Sequence, residues 1–181
     1  ALGYSCLVVG NNFTYGLRGA GTVETLAASA RRLGFKLLVR QLVSDGATVI
    51  SSTAIRRLIA EGDVEEAAAM LGRRYSLSGI VAHGNERGRL LGFPTANVEL
   101  AESKLAVPLG GVYAVQVHVN GQRFGGMANI GKNPTFGDVA QPRLETHIFD
   151  FSGDIYDQPI SIDFVARVRG EVKFASIEQL R

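Results

Sequence analysis

In HGNERGRLLGFPTAN, residues 83–97, Gly84, Gly88 and Gly92 recur every four positions, with Arg87 and Arg89 among them. Glycines let backbone N–H groups come close to phosphate oxygens, and the arginines add positive charge. Pro94 has no N–H to give to a ladder and suits a loop or an edge. Thr95 offers a hydroxyl that can ligate Mg²⁺. Asn97, two residues on, faces the same side of an extended chain. The same residues equally describe a glycine-rich hairpin loop running into a polar edge strand, because such loops are common and weakly specific.

Three other stretches carry polar groups in places that invite chemistry. Glu145 interrupts an apolar strand, LETHIF, residues 144–149. A carboxylate there either faces solvent, the commoner case, or acts as general base for a hydroxyl that attacks a bound nucleotide. ISSTAIRR, residues 50–57, places Ser51, Ser52 and Thr53 at a helix start, followed by Arg56 and Arg57. A helix N-terminus binds anions through its free N–H groups and its dipole. An ordinary N-cap needs only one such residue, and the basic pair opposes the dipole unless an anion offsets it. GGMANIGKNPTFG, residues 125–137, contains Asn129, Asn133, Pro134, Thr135 and Gly137. It reads either as a ligand-covering loop or as a plain hairpin excursion.

Composition narrows the classes. The 181 residues are 46% hydrophobic and 20% charged, which is the balance of a globular chain. No run approaches the roughly 18 apolar residues of a membrane span. The net charge of +2 gives no electrostatic argument for nucleic acid. Cys6 is the single cysteine, which excludes an internal disulfide and suits a reducing cytoplasm. Within SCLVVG it reads as a small buried hydrophobe. His83, His118 and His147 lack metal-ligand spacing, which argues against zinc. The start, ALGYSCLVVG, has neither an initiator Met nor a basic n-region. It reads as a strand entered from preceding residues, so a fragment is expected.

The elements that must position these residues fall into two patterns. Residues 1–74 alternate strand and helix. SCLVVG and FKLLVRQLV read as strands, and TVETLAASARRLG as a helix with Val23, Leu26, Ala27, Ala30 and Leu33 on one face. Thr22 is the expected N-cap and Gly34 the expected stop. Two further helices run to Gly62 and Gly72, the second opened by Asp63 and Glu66 in a capping-box variant. This alternation predicts part of a doubly wound α/β domain, whose first strands would lie upstream. From residue 75 the period becomes two. GVYAVQVHV and QRFGGMANIG flank Asn120-Gly121, a hairpin signal. RLETHIFDF sets Leu144, Thr146 and Ile148 on one face and Glu145, His147 and Phe149 on the other. PISIDFVARV sets Ile160, Ile162, Phe164, Ala166 and Val168 together. About six short strands with glycine turns predict a closed antiparallel barrel over 75–181, followed by a helix beginning in ASIEQLR.

Taken in order, GNNFTYG (10–16), ISSTAIR (50–56), GRLLGFPTAN (88–97), GVYAV (111–115), ANIGKNPTFG (128–137) and LETHIFDFSGDIY (144–156) resemble the bacterial bifunctional riboflavin kinase/FMN adenylyltransferase family, also called FAD synthetase. The resemblance runs nearly the whole chain, and its specificity rests on GFPTAN followed by NIGKNPTF and LETHIFDF. It implies an incomplete Rossmann-like nucleotidyltransferase part over 1–74. It implies a six-stranded Greek-key barrel of riboflavin kinase type over 75–181, with a C-terminal helix. The barrel would move the γ-phosphoryl group of ATP to the 5′-hydroxyl of riboflavin. Gly84, Arg87, Gly88, Arg89, Gly92, Phe93, Pro94, Thr95 and Asn97 would surround the nucleotide, with Thr95 and Asn97 on Mg²⁺ and Glu145 as catalytic base. Asn129, Asn133 and Thr135 would lie on the flavin side. Ser51, Ser52, Thr53 and Arg56 match the phosphate-binding helix start of the adenylyltransferase, which in the full-length protein would join AMP to FMN. The sequence departs from the family in three places. The C-terminal helix, which in the family packs near the flavin site, stops early. No histidine-containing nucleotide motif precedes Ala1, so adenylylation is expected to be lost from this stretch. Gly170 also stands where an aspartate is usual. The implied partners are ATP, riboflavin and FMN, without nucleic acid or membrane, in the cytoplasm.

Two other classes compete. A non-catalytic flavin- or nucleotide-binding barrel would need no base at position 145. A nucleic-acid-binding barrel would show exposed aromatic residues beside a basic groove. With 8% aromatic residues and no strand pairing rings with Lys or Arg, that class ranks last.

Overall fold

The computed structural model describes residues 3–45, 48–83, 94–102, 105–132 and 142–172. The chain forms two compact units, Ala1–Ser51 and Ser52–Arg181. In the first, strand β1 (Cys6–Gly10) pairs in parallel with β2 (Lys36–Arg40), and helix α1 (Val23–Leu33) connects them. The two-residue strands β3 (Ser44–Asp45) and β4 (Thr48–Val49) pair antiparallel.

Helix α1 begins where expected. The Thr22 N–H donates to Thr25 Oγ1 at 2.9 Å, and Gly34 ends the helix in the left-handed region at φ 75°. Leu26 and Ala30 are buried as the helical spacing requires, but Leu33 is exposed. Cys6 is also exposed, contrary to expectation. In a strand, alternate residues share a face. Cys6 therefore lies with Val8, which is 59% exposed, and opposite Val9, which is 7% exposed. Among the described residues β1 pairs only with β2, and Cys6 falls on the side that nothing covers.

The second unit begins with helices α2 (Ser52–Glu61) and α3 (Val64–Leu71). Asp63 caps α3, its Oδ1 accepting the Glu66 N–H at 3.1 Å. The other half of the expected capping box is not made, because the Asp63 N–H donates to the Leu58 carbonyl at 2.9 Å. Leu58, Ile59 and Ala67 form a small core with Ile55, Met70, Tyr75 and Ala106, while Val64 joins the main core. The structural division thus precedes α2, whereas the change of sequence period falls near residue 74.

Six strands follow: β5 (Ser76–Ala82), β6 (Ala96–Leu100), β7 (Gly111–Val119), β8 (Gln122–Lys132), β9 (Pro142–Ile148) and β10 (Pro159–Arg169). They close an antiparallel barrel in the order β10-β5-β6-β9-β8-β7. Strands β7, β8 and β9 are neighbours in sequence, and β10 returns beside β7, which is the Greek-key arrangement. The β7–β8 hairpin turns on Asn120 and Gly121, whose positive φ values of 51° and 72° match the twist of the flanking strands. Inward residues form the core: Leu77, Val81, Tyr113, Val117, Leu144, Ile162 and Phe164 are buried to 1% or less.

Strand β10 departs from its expected alternation. Ile160, Ile162 and Phe164 face inward, but irregularities in the pairing with β7 fall after Phe164 and after Arg167. The extra residue reverses the parity. Arg167, rather than Ala166 or Val168, pairs with the inward Tyr113, and Val168 is exposed. The Arg167 Nη2 group donates to the Gly110 carbonyl at 2.9 Å. Gly62, at φ 84°, lies against the same node: a Cβ there would sit 2.9 Å from both Arg167 Cδ and the Tyr113 hydroxyl. The helix expected from ASIEQLR lies outside the described residues.

Candidate active site

Barrel closure decides which side chains remain available. Leu144, Thr146 and Ile148 fill the interior, so the alternate residues of β9, Arg143, Glu145 and His147, point outward. Register then places three polar residues side by side. Asn97 of β6 and Asn129 of β8 each lie opposite Glu145. The row Asn97–Glu145–Asn129 crosses three strands of one sheet, where directly opposed side chains lie close enough to interact.

Arg143 ties this row together. Its Nε forms an ion pair with Glu145 Oε1 at 2.8 Å, with the Glu145 side chain 28% exposed and that of Arg143 41% exposed. Its Nε and Nη2 also donate to Asn97 Oδ1, at 3.1 and 2.6 Å. Both oxygens therefore converge on one guanidinium, whose planar fork suits such paired contacts. A second carboxylate lies nearby: a Cβ on Gly131 would stand 2.8 Å from Glu171 Oε1, and Gly131 is two residues from Asn129 on β8.

The glycine-rich stretch is anchored at both described ends. The His147 Nδ1–H donates to the Pro94 carbonyl at 2.8 Å and fixes the chain just before Thr95 and Asn97. His83 stacks on Tyr156 at 4.1 Å between ring centroids, and its Nε2 lies 3.8 Å from Asp157 Oδ2. Since β5 ends at Ala82 and β6 begins at Ala96, residues 83–95 connect the two strands. Pro94 and Thr95 are exposed at its end. Gly84, Arg87, Gly88, Arg89, Gly92 and Phe93 lie outside the described residues, as do Asn133 and Thr135.

The structure thus brings together Asn97, Glu145 and Asn129, with Thr95 two residues from the row. Ser52, Thr53 and Arg56 are exposed on the first turns of α2, a separate element, and Ser51 is exposed just before it. Arg143 and Glu171 were not singled out from the sequence. For Arg143 a signal existed: in RLETH, a period of two sets Arg143, Glu145 and His147 on one face. Glu171 gave none, since it follows the strand and meets Gly131 only through the fold.

The arrangement offers a carboxylate, an amide oxygen and a hydroxyl near the described end of the β5–β6 connection at Pro94. These groups suit proton abstraction next to a phosphate chain.

A family model described as riboflavin kinase matches residues 71–181, and one described as FAD synthetase matches residues 1–54. The chain is 41% identical to the bifunctional riboflavin kinase/FMN adenylyltransferase of Haemophilus influenzae over 176 residues, which cover 97% of this chain and 56% of that protein. It is 43% identical to the Bacillus subtilis protein of the same name, covering 96% of this chain and 55% of that one. A crystal structure named as a macrolide-efflux protein from Streptococcus pneumoniae superposes with a TM-score of 0.87 at 38% identity, over 97% of this chain and 56% of that one. The chain spans about half the length of the curated relatives it matches. The barrel, its outward polar row and the match over residues 71–181 together show that this chain belongs to the riboflavin kinase family.

Proposed function

We propose that the barrel phosphorylates riboflavin to FMN at the expense of ATP, with Glu145 as the base. The observation that carries this reading is the registered row Asn97–Glu145–Asn129 beside Thr95. A solvent-facing glutamate needs no such company, whereas a base must stand beside the groups that hold its substrates. In the proposed reaction Glu145 accepts the proton of the riboflavin 5′-hydroxyl. The freed oxygen forms a bond to the γ-phosphorus, the bond from that phosphorus to the β–γ bridging oxygen breaks, and ADP leaves with the electron pair.

The residues fit Mg²⁺. This ion takes hard oxygen ligands, keeps several waters and relies on substrate phosphates rather than on an all-protein cage. The Thr95 hydroxyl and Asn97 Oδ1 are such oxygens. Asn97 Oδ1 and Glu145 Oε1 already converge on a cationic group. When bound, the ion would neutralise charge on the phosphates. Thr95 and Asn97 would hold it, Asn129 would border the flavin side, and the anchors at His83 and His147 would fix the stem of the nucleotide-binding connection.

Residues 1–74 are assigned to the adenylyltransferase domain of a longer protein, and 75–181 to the kinase domain. In the longer protein the helix start at Ser51, Ser52, Thr53 and Arg56 would hold phosphates while AMP is joined to FMN. Among the described residues no helix is long and apolar enough to cross a membrane. A cytoplasmic setting is proposed from the single cysteine and the metabolite substrates. The test is incubation of the chain with riboflavin, ATP and Mg²⁺, with flavins separated by chromatography. FMN is expected. Tight riboflavin binding without FMN would favour a non-catalytic flavin-binding barrel.

A further inference from the structure

We infer that Arg143 is a latch, its guanidinium occupying the cation seat between Asn97 and Glu145 until a metal–nucleotide displaces it. The inference rests on the kinase reading above for the identity of the incoming ligand, but its geometry stands apart from it.

Two N–H groups of Arg143 meet Asn97 Oδ1, at 3.1 and 2.6 Å. An amide oxygen has two lone pairs, so this acceptor has little left for a metal. The Nε that reaches Asn97 also reaches Glu145 Oε1 at 2.8 Å. The positive charge thus sits on the oxygens that face the proposed substrates. A divalent cation at Asn97 would meet that charge at short range, and like charges repel. Arg143 and metal cannot share Asn97 Oδ1.

Arg143 is free to leave. Its side chain is 41% exposed, so the guanidinium can exchange its contacts for water. Its partner across β8 is Gly131, over which the Glu171 carboxylate lies as another acceptor for a departing guanidinium. Holding the latch shut lowers the fraction of molecules competent to bind metal, and apparent affinity falls by that fraction. Arg143 is therefore a positioning residue. It keeps Glu145 and Asn97 oriented before the substrates arrive, and that order costs metal affinity.

The test titrates Mn²⁺ alone into the 181-residue chain and follows paramagnetic broadening of the Asn97 side-chain amide by NMR. Arg143→Ala should bring half-maximal broadening at about 3- to 10-fold lower Mn²⁺ than in the wild type, the gain expected if the seat is open in roughly 10–30% of wild-type molecules. Arg143→Lys, which keeps the charge and loses the fork, should fall between. Equal or weaker Mn²⁺ binding in Arg143→Ala would overturn the latch, as would no broadening at Asn97 in any form. Calorimetry with ADP, with and without Mg²⁺, separates the two readings. If the Mn²⁺ shift is seen but no form binds Mg²⁺–ADP, the latch stands and the kinase reading fails. If Mg²⁺–ADP binds and Arg143→Ala weakens it, Arg143 is a phosphate ligand and the latch is wrong.

Discussion

Thr95 carries two separable expectations. As a metal ligand its hydroxyl matters only when metal is present, while as a loop-stabilising residue it matters always. Thr95→Ala should therefore weaken ADP binding in Mg²⁺ far more than in chelator, measured by calorimetry under both conditions. Equal loss in both would assign Thr95 to the loop. The candidate residues were partly legible in the sequence. Glu145 stood out because a charge in an apolar alternating strand needs an explanation, and Asn97 because it shares parity with Thr95. What joins them was not legible. The pairing of Asn97 with Glu145 spans 48 positions and depends on β6 lying beside β9, an adjacency that no local pattern encodes. Arg143 was hidden for the same reason: its meaning comes from the acceptor on the next strand.

At the scale of elements, strand alternation both succeeded and failed for stated physical reasons. In β9 each predicted inward residue is inward, because the strand pairs regularly with both neighbours over its middle. In β10 the prediction holds through Phe164 and then breaks. A bulge needs only one extra residue, and nothing in FVARV announces it. The inward set of β9 includes one oddity. Thr146 is fully buried between Ala96 and Ala128, and its Oγ1 has no hydrogen-bond partner among the described residues. A buried hydroxyl without a partner costs about 1–3 kcal/mol in lost hydration. Thr146→Val keeps the shape and removes that cost. It should raise the unfolding free energy by about 1 kcal/mol in urea denaturation. A loss of stability would mean that the hydroxyl has a partner in the folded protein.

Across the whole molecule, the buried Tyr113 and the half-buried Tyr75 tie the loop between β6 and β7 to the rest of the second unit. The Tyr75 hydroxyl donates to the Ala106 carbonyl at 2.6 Å, and the Tyr113 hydroxyl to the Leu109 carbonyl at 2.5 Å. Burial pushes both above the ordinary phenol value, opposed in part by Arg73 at Tyr75 and by Arg167 at Tyr113. A phenol with a raised value in the folded state favours folding while protonated. That contribution is complete below about pH 10, the unfolded value, and is lost as pH rises through the higher folded values. The melting temperature should hold to about pH 10 and then fall, and Tyr75→Phe should make the fall shallower. A profile unchanged by Tyr75→Phe would contradict this linkage.

Glu145 is proposed to remove the proton of the attacking hydroxyl in a phosphoryl transfer carried out by the barrel. The most direct test of this role is the turnover number for FMN formation by Glu145→Gln, which keeps the shape and the contact with Arg143 but not the basicity. A positioned base contributes about 10²- to 10⁴-fold in rate, or about 3–5 kcal/mol of barrier. We predict a loss of kcat in that range, with riboflavin and Mg²⁺–ADP still binding. Near-normal turnover in Glu145→Gln would contradict the claim and leave Glu145 a structural partner of Arg143.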